Sequence, residues 1–384
     1  MGGLFKRNRE RNENDEFGYE KTLSAASMKL NKNGNGASKQ SLRNYKVLRV
    51  GDVAFEGHTS NSFSFGRFVM NDNEDGIMSP RFASLKPKHK LQVNYWKYYV
   101  HYEPIMKYVL VKATKAGTMM NELVYDDLFK EVINVPSITE QKKIGQFLSS
   151  LATLLSLQQK KLEQLKLLKK AMLQQLFVSD KNTLVPNIRF NGFNSSWEQR
   201  KLGEVSKRVK GNDGRMNLPL LTISAKNGWM TQKKRFSSNI AGREKKNYTL
   251  LKQNQLSYNH GNSKAAVFGT VFELSNYQEA LVPKVYHSFV LDSRYSSKFV
   301  EAYFHTKKLD RQLRQFISST ARMDGLLNIS YDDFMKLKLY LPNTAEQIKI
   351  SKLLIKLEGL LSLQQSKINQ LLALKKYMLQ KLFI

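Results

Sequence analysis

The segment "TEQKKIGQFLSSLATLLSLQQKKLEQLKLLKKAMLQQLF", Thr139 to Phe177, returns almost unchanged as "AEQIKISKLLIKLEGLLSLQQSKINQLLALKKYMLQKLF", Ala345 to Phe383. At an offset of 206 and without a gap, roughly 24 of 43 positions from Val135 to Phe177 are identical. Apolar residues in both copies alternate at spacings of four and three, which is the heptad pattern of a coiled-coil helix. The sequence therefore predicts two long helices, with Thr139 and Thr344 as N-caps.

Each predicted helix has one apolar seam that must be buried. Both seams contain the same polar exceptions, a glutamine and a lysine, which cost stability but fix register. We expect the two copies to pack on each other as an antiparallel coiled coil with pseudo-two-fold symmetry. The alternative is that each helix packs only on its own domain. The seam positions are Ile144, Leu148, Leu151, Leu155, Gln158, Leu162, Leu165, Lys169, Met172 and Leu176, and then Ile350, Leu354, Leu357, Leu361, Gln364, Ile368, Leu371, Lys375, Met378 and Leu382.

The repeat continues upstream of the helices at lower similarity. "VYDDLFKEVINVP" from Val124 faces "SYDDFMKLKLYLP" from Ser330, and "YKVLRVGDVAF" from Tyr45 faces "YTLLKQNQLSY" from Tyr248. Short β-like runs and helical patterns alternate there, so we expect two mixed α/β (α+β) domains on one frame. The predicted organisation is a first domain at 1–135, a helix at 136–178, a linker at 179–196, a second domain at 197–341 and a helix at 342–384.

Composition points to a polyanionic partner. The chain has 384 residues, a formal net charge of +30 and no cysteine. Such an excess of positive charge most often serves nucleic-acid binding. Disulfides and zinc fingers are excluded, and the start "MGGLFKRNRE" has no apolar signal region. We expect a cytoplasmic protein that does not cross a membrane.

Catalytic motifs are not found. The sequence has no G-x-x-x-x-G-K-[ST] phosphate loop and no H-x-x-x-H pair. The two "YDD" stretches, at Tyr125 and Tyr331, stand at predicted helix starts, where carboxylates compensate the helix dipole. We expect no catalytic residue, no metal site and no cofactor in this chain, and a role in binding.

The order of these elements resembles the specificity (S) subunit of type I restriction–modification systems. The resemblance is carried by "PSITEQ" and "PNTAEQ" with the helices that follow, by "WEQRKLGEV" from Trp197, by "VGDVAF" from Val50 and by "MDGLLNISYDDFMKLKLYLP" from Met323. One departure is that the first half begins with "GGLFKRN", which aligns near Gly203, and has no counterpart of "SSWEQRKL". Either the chain starts late or its first domain is entered differently.

The resemblance implies a non-catalytic subunit that reads an asymmetric, bipartite site in double-stranded DNA. It implies two methyltransferase (modification) subunits that bind S-adenosylmethionine, and two restriction subunits that need ATP and Mg. Two copies of a constant helix would then recruit two copies of one partner. The candidate partner-binding residues are Glu140, Gln141, Gln158, Lys169, Glu346, Gln347, Gln364 and Lys375.

Four polar loops are the candidate DNA-reading segments, because lysine and arginine position phosphates while asparagine and basic side chains read base edges. They span 24–43 and 55–67 in the first half, and 224–236 and 257–266 in the second. The candidate residues are Lys39, Arg43, His58, Asn61, Arg67, Lys226, Asn227, Lys233, Lys234, Arg235, Lys245, Lys246, Asn259, His260, Asn262 and Lys264.

Two other classes of function remain open from the sequence. A basic coiled-coil scaffold would bind nucleic acid with a steep salt dependence and no preferred sequence. A nuclease or fused methyltransferase would be active as the isolated chain, and the missing motifs count against it.

Overall fold

Two compact units make up the chain. The computed structural model describes residues 1–383 except 32, 34–35, 179–182, 239–241, 262 and 318–325. The first unit contains Met1–Lys160 and Ser366–Ile384, and the second contains Lys161–Gln365. The boundary between the units therefore falls within each of the two repeated segments.

The first unit combines short antiparallel strands with four helices ahead of the repeated segment. Its strands are β1 Phe5–Arg7, β2 Lys46–Leu48, β3 Val53–Glu56, β4 Arg67–Met70, β5 Gly76–Met78, β6 Ala83–Pro87, β7 Thr114–Lys115 and β8 Glu122–Leu123. Its helices are α1 Lys39–Leu42, α2 Val93–Tyr99, α3 Glu103–Ala113 and α4 Tyr125–Lys130. The main sheet has the order β1-β6-β3-β4, and β2 pairs with β5.

Between the repeated segments, the second unit uses the same types of element. Its strands are β9 Glu198–Lys201, β10 Ser206–Val209, β11 Leu221–Ser224, β12 Gly228–Thr231, β13 Thr249–Lys252, β14 Leu256–Asn259, β15 Thr270–Glu273, β16 Glu279–Val282, β17 His287–Leu291 and β18 Lys338–Leu341. Its helices are α6 Gln232–Phe236, α7 Ser297–His305, α8 Asp310–Phe316 and α9 Tyr331–Met335. The main sheet has the order β10-β17-β14-β15, and β13 pairs with β16.

The two units thus have main sheets of the same order, as the upstream repeat predicts. Tyr45 and Tyr248 precede β2 and β13 and are buried, so they are packing residues. Asp126 and Asp127 lie in the first turn of α4, and the equivalent pair begins α9. The helical run from Val93 is broken into α2 and α3, because Pro104 at the start of α3 cannot continue a preceding helix.

The repeated segments form two long helices, α5 Ile138–Gln175 and α10 Thr344–Leu382. No seam position of either helix is exposed, so the predicted apolar stripe is the buried face. The predicted caps are wrong by two residues in α5 and by one in α10. Ser137 Oγ accepts the amide of Glu140, and Asn343 Oδ1 accepts the amide of Glu346. Both residues lie directly before the first helical residue, where a side-chain oxygen can reach the free amides.

The core of each unit takes in the start of one long helix and the end of the other. In the first unit, Ile144 and Leu148 of α5 share a cluster with Phe383, which follows α10. In the second unit, Ile350 and Leu354 of α10 share a cluster with Phe177, which follows α5. The end of each helix is therefore buried in the unit that contains the start of the other.

Candidate nucleic-acid interface

A cleft in the first unit is formed where the two predicted reading loops meet. It has a volume of about 610 Å³ and opens between Ser24–Ala26 on one side and Glu56 and His58 on the other. Arg81 completes its rim, with the guanidinium 5.0 Å from the ring centre of Phe82. The structure therefore brings together two segments that are about thirty residues apart in sequence.

The second unit also has a cleft at its two predicted reading loops. Its volume is about 430 Å³, and the turn between β11 and β12, with Lys226 and Asn227, forms one wall. The other wall is the stretch 265–270, which begins with the last two residues of the second predicted reading loop. Lys169 and Lys307 also line this cleft, together with the acidic Asp310 and Glu358, so its lining carries both signs of charge.

At the end of one strand, the two units carry different side chains on the same backbone arrangement. Glu56 pairs with Arg67 across β3 and β4, and Asn259 pairs with Thr270 across β14 and β15. Gly66 and Gly269 precede β4 and β15 with φ of +91° and +77°, and a Cβ on either would lie 2.6 Å from a carbonyl oxygen of the facing strand. Only glycine fits this close left-handed turn, so the frame is fixed and the neighbouring side chains are free to differ.

At the first cleft, the predicted basic residues are held by acidic partners. Arg67 Nε lies 3.1 Å from Glu56 Oε2, and its guanidinium also stacks on Phe63. His58 Nδ1 contacts Glu56 as well. Arg43 makes a bidentate pair with Asp15, at 2.6 Å for the shortest contact, and this pair holds the pKa of Asp15 below its usual value. Glu56 therefore holds two of the predicted residues, and one of them, His58, lines the cleft.

At the second cleft, Asn259 and His260 are fixed by backbone contacts. Asn259 donates to Ile223 O at 3.1 Å and accepts the amide of Gly261 at 3.0 Å. His260 is buried, and its ring nitrogens lie 2.7 and 2.8 Å from the carbonyl oxygens of Leu327 and Val285. These contacts give His260 a structural position, and we leave it out of the interface proposed below.

The predicted DNA-reading residues differ in how far they are exposed to solvent. Asn262 lies outside the described residues. Arg67, Lys245 and Asn259 are half-buried. The exposed set is Lys39, Arg43, His58, Asn61, Lys226, Asn227, Lys233, Lys234, Arg235, Lys246 and Lys264. Of this set, Lys226 and Asn227 line the second cleft and His58 lines the first.

Sequence reasoning missed Arg81 in the first cleft and Lys307 in the second. Arg81 follows Pro80, which aligns with Pro283 of the second half, so its place at a conserved turn of the repeat was a usable signal. Lys307 follows α7 and has φ of +64°, a conformation that the sequence did not indicate. His305, two residues before Lys307, is half-buried, and desolvation of its ring lowers its pKa to about 4. It is therefore neutral at pH 7.

The predicted partner-binding residues of the helices include two structural clamps. Gln141 Nε2 donates to Pro136 O at 2.9 Å, and Gln347 Nε2 donates to Pro342 O at 2.8 Å. The oxygen of Gln141 accepts from the indole of Trp96, and that of Gln347 accepts from the amide of Ser296. The repeated P-x-x-x-E-Q motif therefore joins each long helix to its own domain.

The other predicted helix residues differ between the copies. Glu140 is exposed, whereas Glu346 is fully buried against Arg189. Lys169 pairs with Glu358 at 2.7 Å in the second unit. Lys375 is half-buried beside Tyr98 in the first unit, and burial lowers its pKa. Gln158 is half-buried and Gln364 is buried.

The described residues contain neither a metal-binding cluster nor a helix that could span a membrane. Within the part of the chain that the structure describes, no group of three or more histidine and acidic side chains could hold a metal ion. Among the same described residues, no helix is both long and apolar enough to traverse a lipid bilayer.

The comparisons agree with the resemblance seen in the sequence. Residues 9–167 match the family described as type I restriction modification DNA specificity domain. No curated relative matches the chain. The S subunit of a type I restriction-modification system from M. genitalium matches at 15% identity with a TM-score of 0.57, covering 100% of this chain and 94% of that one.

Two further solved structures match over the whole chain. One, described as the basis of complex assembly and conformational transition of the type I R-M system, has 15% identity and a TM-score of 0.51, with coverage of 100% and 96%. The HsdS subunit from Thermoanaerobacter tengcongensis has 16% identity and a TM-score of 0.47, with coverage of 100% and 95%. The family match confirms the resemblance for residues 9–167, and the structural likeness above a TM-score of 0.5 confirms a fold of this mixed α/β type.

Proposed function

We propose that this chain, whose residues 9–167 match the type I restriction modification DNA specificity domain, is the DNA-reading subunit of such a system. One observation carries the proposal. In each unit, two polar loops that differ between the repeats line one cleft, and the main sheet has the same strand order in both units. A fixed frame with side chains that differ between the units would allow each unit to read a different half of a DNA site.

In the second unit, we assign the reading surface to the cleft rim. Lys226 is placed to contact phosphate and Asn227 to reach a base edge, since both are exposed at the tip of the β11–β12 turn. The proposed contacts to the DNA phosphate backbone beside this turn are three exposed lysines, Lys233, Lys234 and Lys246. In the first unit, the proposed DNA-reading residues are His58 and Arg81, which line the cleft, and Arg67, which contacts Glu56.

The long helices act as the fixed spacer between the two reading units. An antiparallel coiled coil with pseudo-two-fold symmetry is supported by contacts within each unit, where the start of one helix lies with the end of the other. The Lys169–Glu358 pair of the second unit supports the same direction. The domain limits of 1–135 and 197–341, with a linker at 179–196, remain part of this proposal.

The chemistry of the complex belongs to other subunits in this proposal. Two methyltransferase subunits would bring S-adenosylmethionine, and two restriction subunits would bring ATP and Mg. This chain would position them on DNA as a non-catalytic subunit of a cytoplasmic complex. The exposed flanks of the repeated helices are the proposed contact surface, because a repeated surface can bind two copies of one partner.

Methylation mapping tests the proposal. The chain is co-expressed with a cognate modification subunit in a host that lacks adenine methylation, and the genome is sequenced for N6-methyladenine. We expect methylation at one asymmetric motif in two parts. A motif with a single defined part would restrict reading to one unit.

A stable complex that binds DNA but methylates no motif would contradict the reading role. It would favour the alternative, a basic scaffold without sequence preference. That alternative also predicts equal affinity for unrelated duplexes and a steep loss of affinity with salt.

A further inference from the structure

A further cleft of the second unit is lined by basic and aromatic side chains, and we call it the basic cleft. It has a volume of about 530 Å³, and four of its lining residues are cations: Lys308, Arg311, Lys336 and Lys338. Among the described residues that line it, none is acidic. It shares no lining residue with the cleft at the reading loops, whose lining includes Asp310 and Glu358. The basic cleft is therefore a separate site with one sign of charge.

One wall of the basic cleft is rigid, because α8 is fixed to β18. Gln312 Nε2 donates to Lys338 O at 3.0 Å, and Gln312 Oε1 accepts the amide of Lys338 at 2.8 Å. Both bonds use backbone atoms of Lys338, so its ammonium group takes no part in them. Arg311 and Lys338 are exposed, and within the described part of the chain neither side chain enters an ion pair. Two cations therefore lie on a fixed wall with no counter-charge from the described residues.

Two tyrosine hydroxyls add uncharged donors to the same cleft. Gln199 Nε2 donates to the hydroxyl of Tyr340 at 2.8 Å, and the amide of Tyr340 donates to the hydroxyl of Tyr303 at 3.4 Å. Both hydroxyl oxygens accept a bond, and neither hydroxyl donates in turn to any of the described residues, so both protons are available to a ligand. Burial raises the pKa of Tyr303, so its hydroxyl keeps that proton at neutral pH.

The donors of the basic cleft require a ligand that is an anion with several acceptor oxygens. Phosphate groups meet this requirement, because they combine negative charge with strong acceptor oxygens, and lysine and arginine are their usual partners. The cleft volume of about 530 Å³ lies within the range of pockets that enclose small molecules, about 300–1,000 Å³. The half-buried ring of Phe316 also lines the cleft, and an aromatic ring can stack on a nucleobase.

We propose that the basic cleft binds a compact oligophosphate, and that a nucleoside triphosphate is the form that also uses the ring of Phe316. Arg311 and Lys338 bind the phosphate oxygens from the fixed wall, and the hydroxyl of Tyr340 donates to the same group. At the offset of 206, Lys338 faces Val132, so the first half of the repeat lacks this cation and one ligand is expected per chain. The inference does not depend on the DNA-reading role.

Isothermal titration calorimetry of the full 384-residue chain without DNA tests the proposal, with ATP and tripolyphosphate as the probes. We expect saturable binding of one molecule of either probe per chain, and no binding of adenosine. Arg311→Glu and Lys338→Glu should each weaken binding by about tenfold or more, the effect of losing a hydrogen bond to a charged group. Both side chains are exposed, so these variants keep the fold. Arg314→Glu, at an exposed position of α8 outside the cleft, changes the net charge equally and should leave binding unchanged.

A preference for ATP over tripolyphosphate that Phe316→Leu removes would identify the ligand as a nucleotide. Equal affinity for the two probes would identify it as an oligophosphate without a base. The proposal is wrong if neither probe saturates, or if Arg314→Glu weakens binding as much as Arg311→Glu does, because the net positive charge would then attract anions without a site. It is also overturned if Arg311→Glu weakens binding of a DNA duplex while neither probe binds, since the cleft would then contact the DNA backbone.

Discussion

Phe383, the residue after α10, packs edge-on against Tyr95 of α2, with ring centres 5.5 Å apart. Its ring is also 5.4 Å from that of Tyr99. The second unit repeats the arrangement, since Phe177 lies 5.0 Å from Phe299 and 5.4 Å from Tyr303 of α7. The end of each repeated helix is thus anchored between two aromatic side chains spaced four residues apart.

Phe383→Ala should destabilise the first unit by about 3–5 kcal/mol, the usual cost of emptying a buried aromatic site. Urea unfolding followed by circular dichroism measures the change. Leu363→Ala, at an exposed position of the same helix, should cost far less. Equal losses for the two variants would mean that Phe383 is not an anchor.

Gln347→Ala should cost about 1–3 kcal/mol, because it leaves the carbonyl of Pro342 and the amide of Ser296 without their partner. Gln141→Ala should act in the same way on the first unit. Thermal unfolding of each variant is compared with Gln159→Ala, an exposed site on α5. If Gln159→Ala lowers the stability as much as Gln347→Ala and Gln141→Ala do, the effect comes from replacing any glutamine of a long helix and not from the hydrogen bonds of Gln347 and Gln141.

Arg189→Ala should destabilise the second unit by about 3–5 kcal/mol, since it leaves the enclosed carboxylate of Glu346 without its cation. Lys166→Ala breaks the exposed pair with Glu163 and should cost less than about 1 kcal/mol. Equilibrium unfolding in urea gives both values. If Arg189→Ala is as mild as Lys166→Ala, water must solvate Glu346.

Lowering the pH should reduce the free energy of unfolding of the second unit, and this loss should begin at a higher pH than that at which carboxylates titrate. Burial lowers the pKa values of His287 and His305 to about 4 in the folded chain, below the usual 6.5. Between pH 6.5 and pH 4 the unfolded chain therefore binds more protons than the folded chain. The contribution of the two histidines to the free energy of unfolding is fully present above pH 6.5 and is lost as the pH falls toward 4. Each histidine contributes a slope of up to about 1.4 kcal/mol per pH unit.

Urea midpoints at pH 7.5, 6 and 5 measure this slope. His287→Gln removes one titrating ring and should flatten the profile, whereas His89→Gln, at an exposed site, should not. A wild-type profile that is flat from pH 7.5 to pH 5 would contradict the lowered values.

Substitutions on the β11–β12 turn should separate positioning from reading. Lys226→Ala should weaken binding to all duplexes and reduce the salt dependence by about 0.9 in log–log slope, the loss of one phosphate contact. Asn227→Ala should relax the preference at one base pair, by about 1–3 kcal/mol of discrimination. Fluorescence anisotropy with a set of point-substituted duplexes measures both. A uniform loss for Asn227→Ala would remove it from base reading.

The long helices and their buried stripe were predictable from the sequence, because the heptad spacing of residues such as Leu148 and Leu354 directly encodes a face. The shared sheet order was predictable too, since the repeat carries the strands with it. The caps were not, because Ser137 and Asn343 compete with neighbouring polar residues, and only backbone geometry selects among them.

Contacts between distant segments were beyond the sequence. The pairing of β9 with β18 and the Arg189–Glu346 pair each join residues more than a hundred positions apart. For the loops, residue type suggested base contacts at His260, but type does not report burial. The ring is enclosed by the carbonyls of Leu327 and Val285, which lie outside the loop that contains it.

Met1 and Phe383, 382 positions apart in sequence, belong to the same buried cluster of the first unit. A linker that joins the first residue to the last could therefore leave both residues in that cluster. New termini opened between Val178 and Thr183 would then leave each unit with every segment it now contains. The molecule should tolerate circular permutation at this point, so the order in which its two halves are translated is not a requirement of the fold.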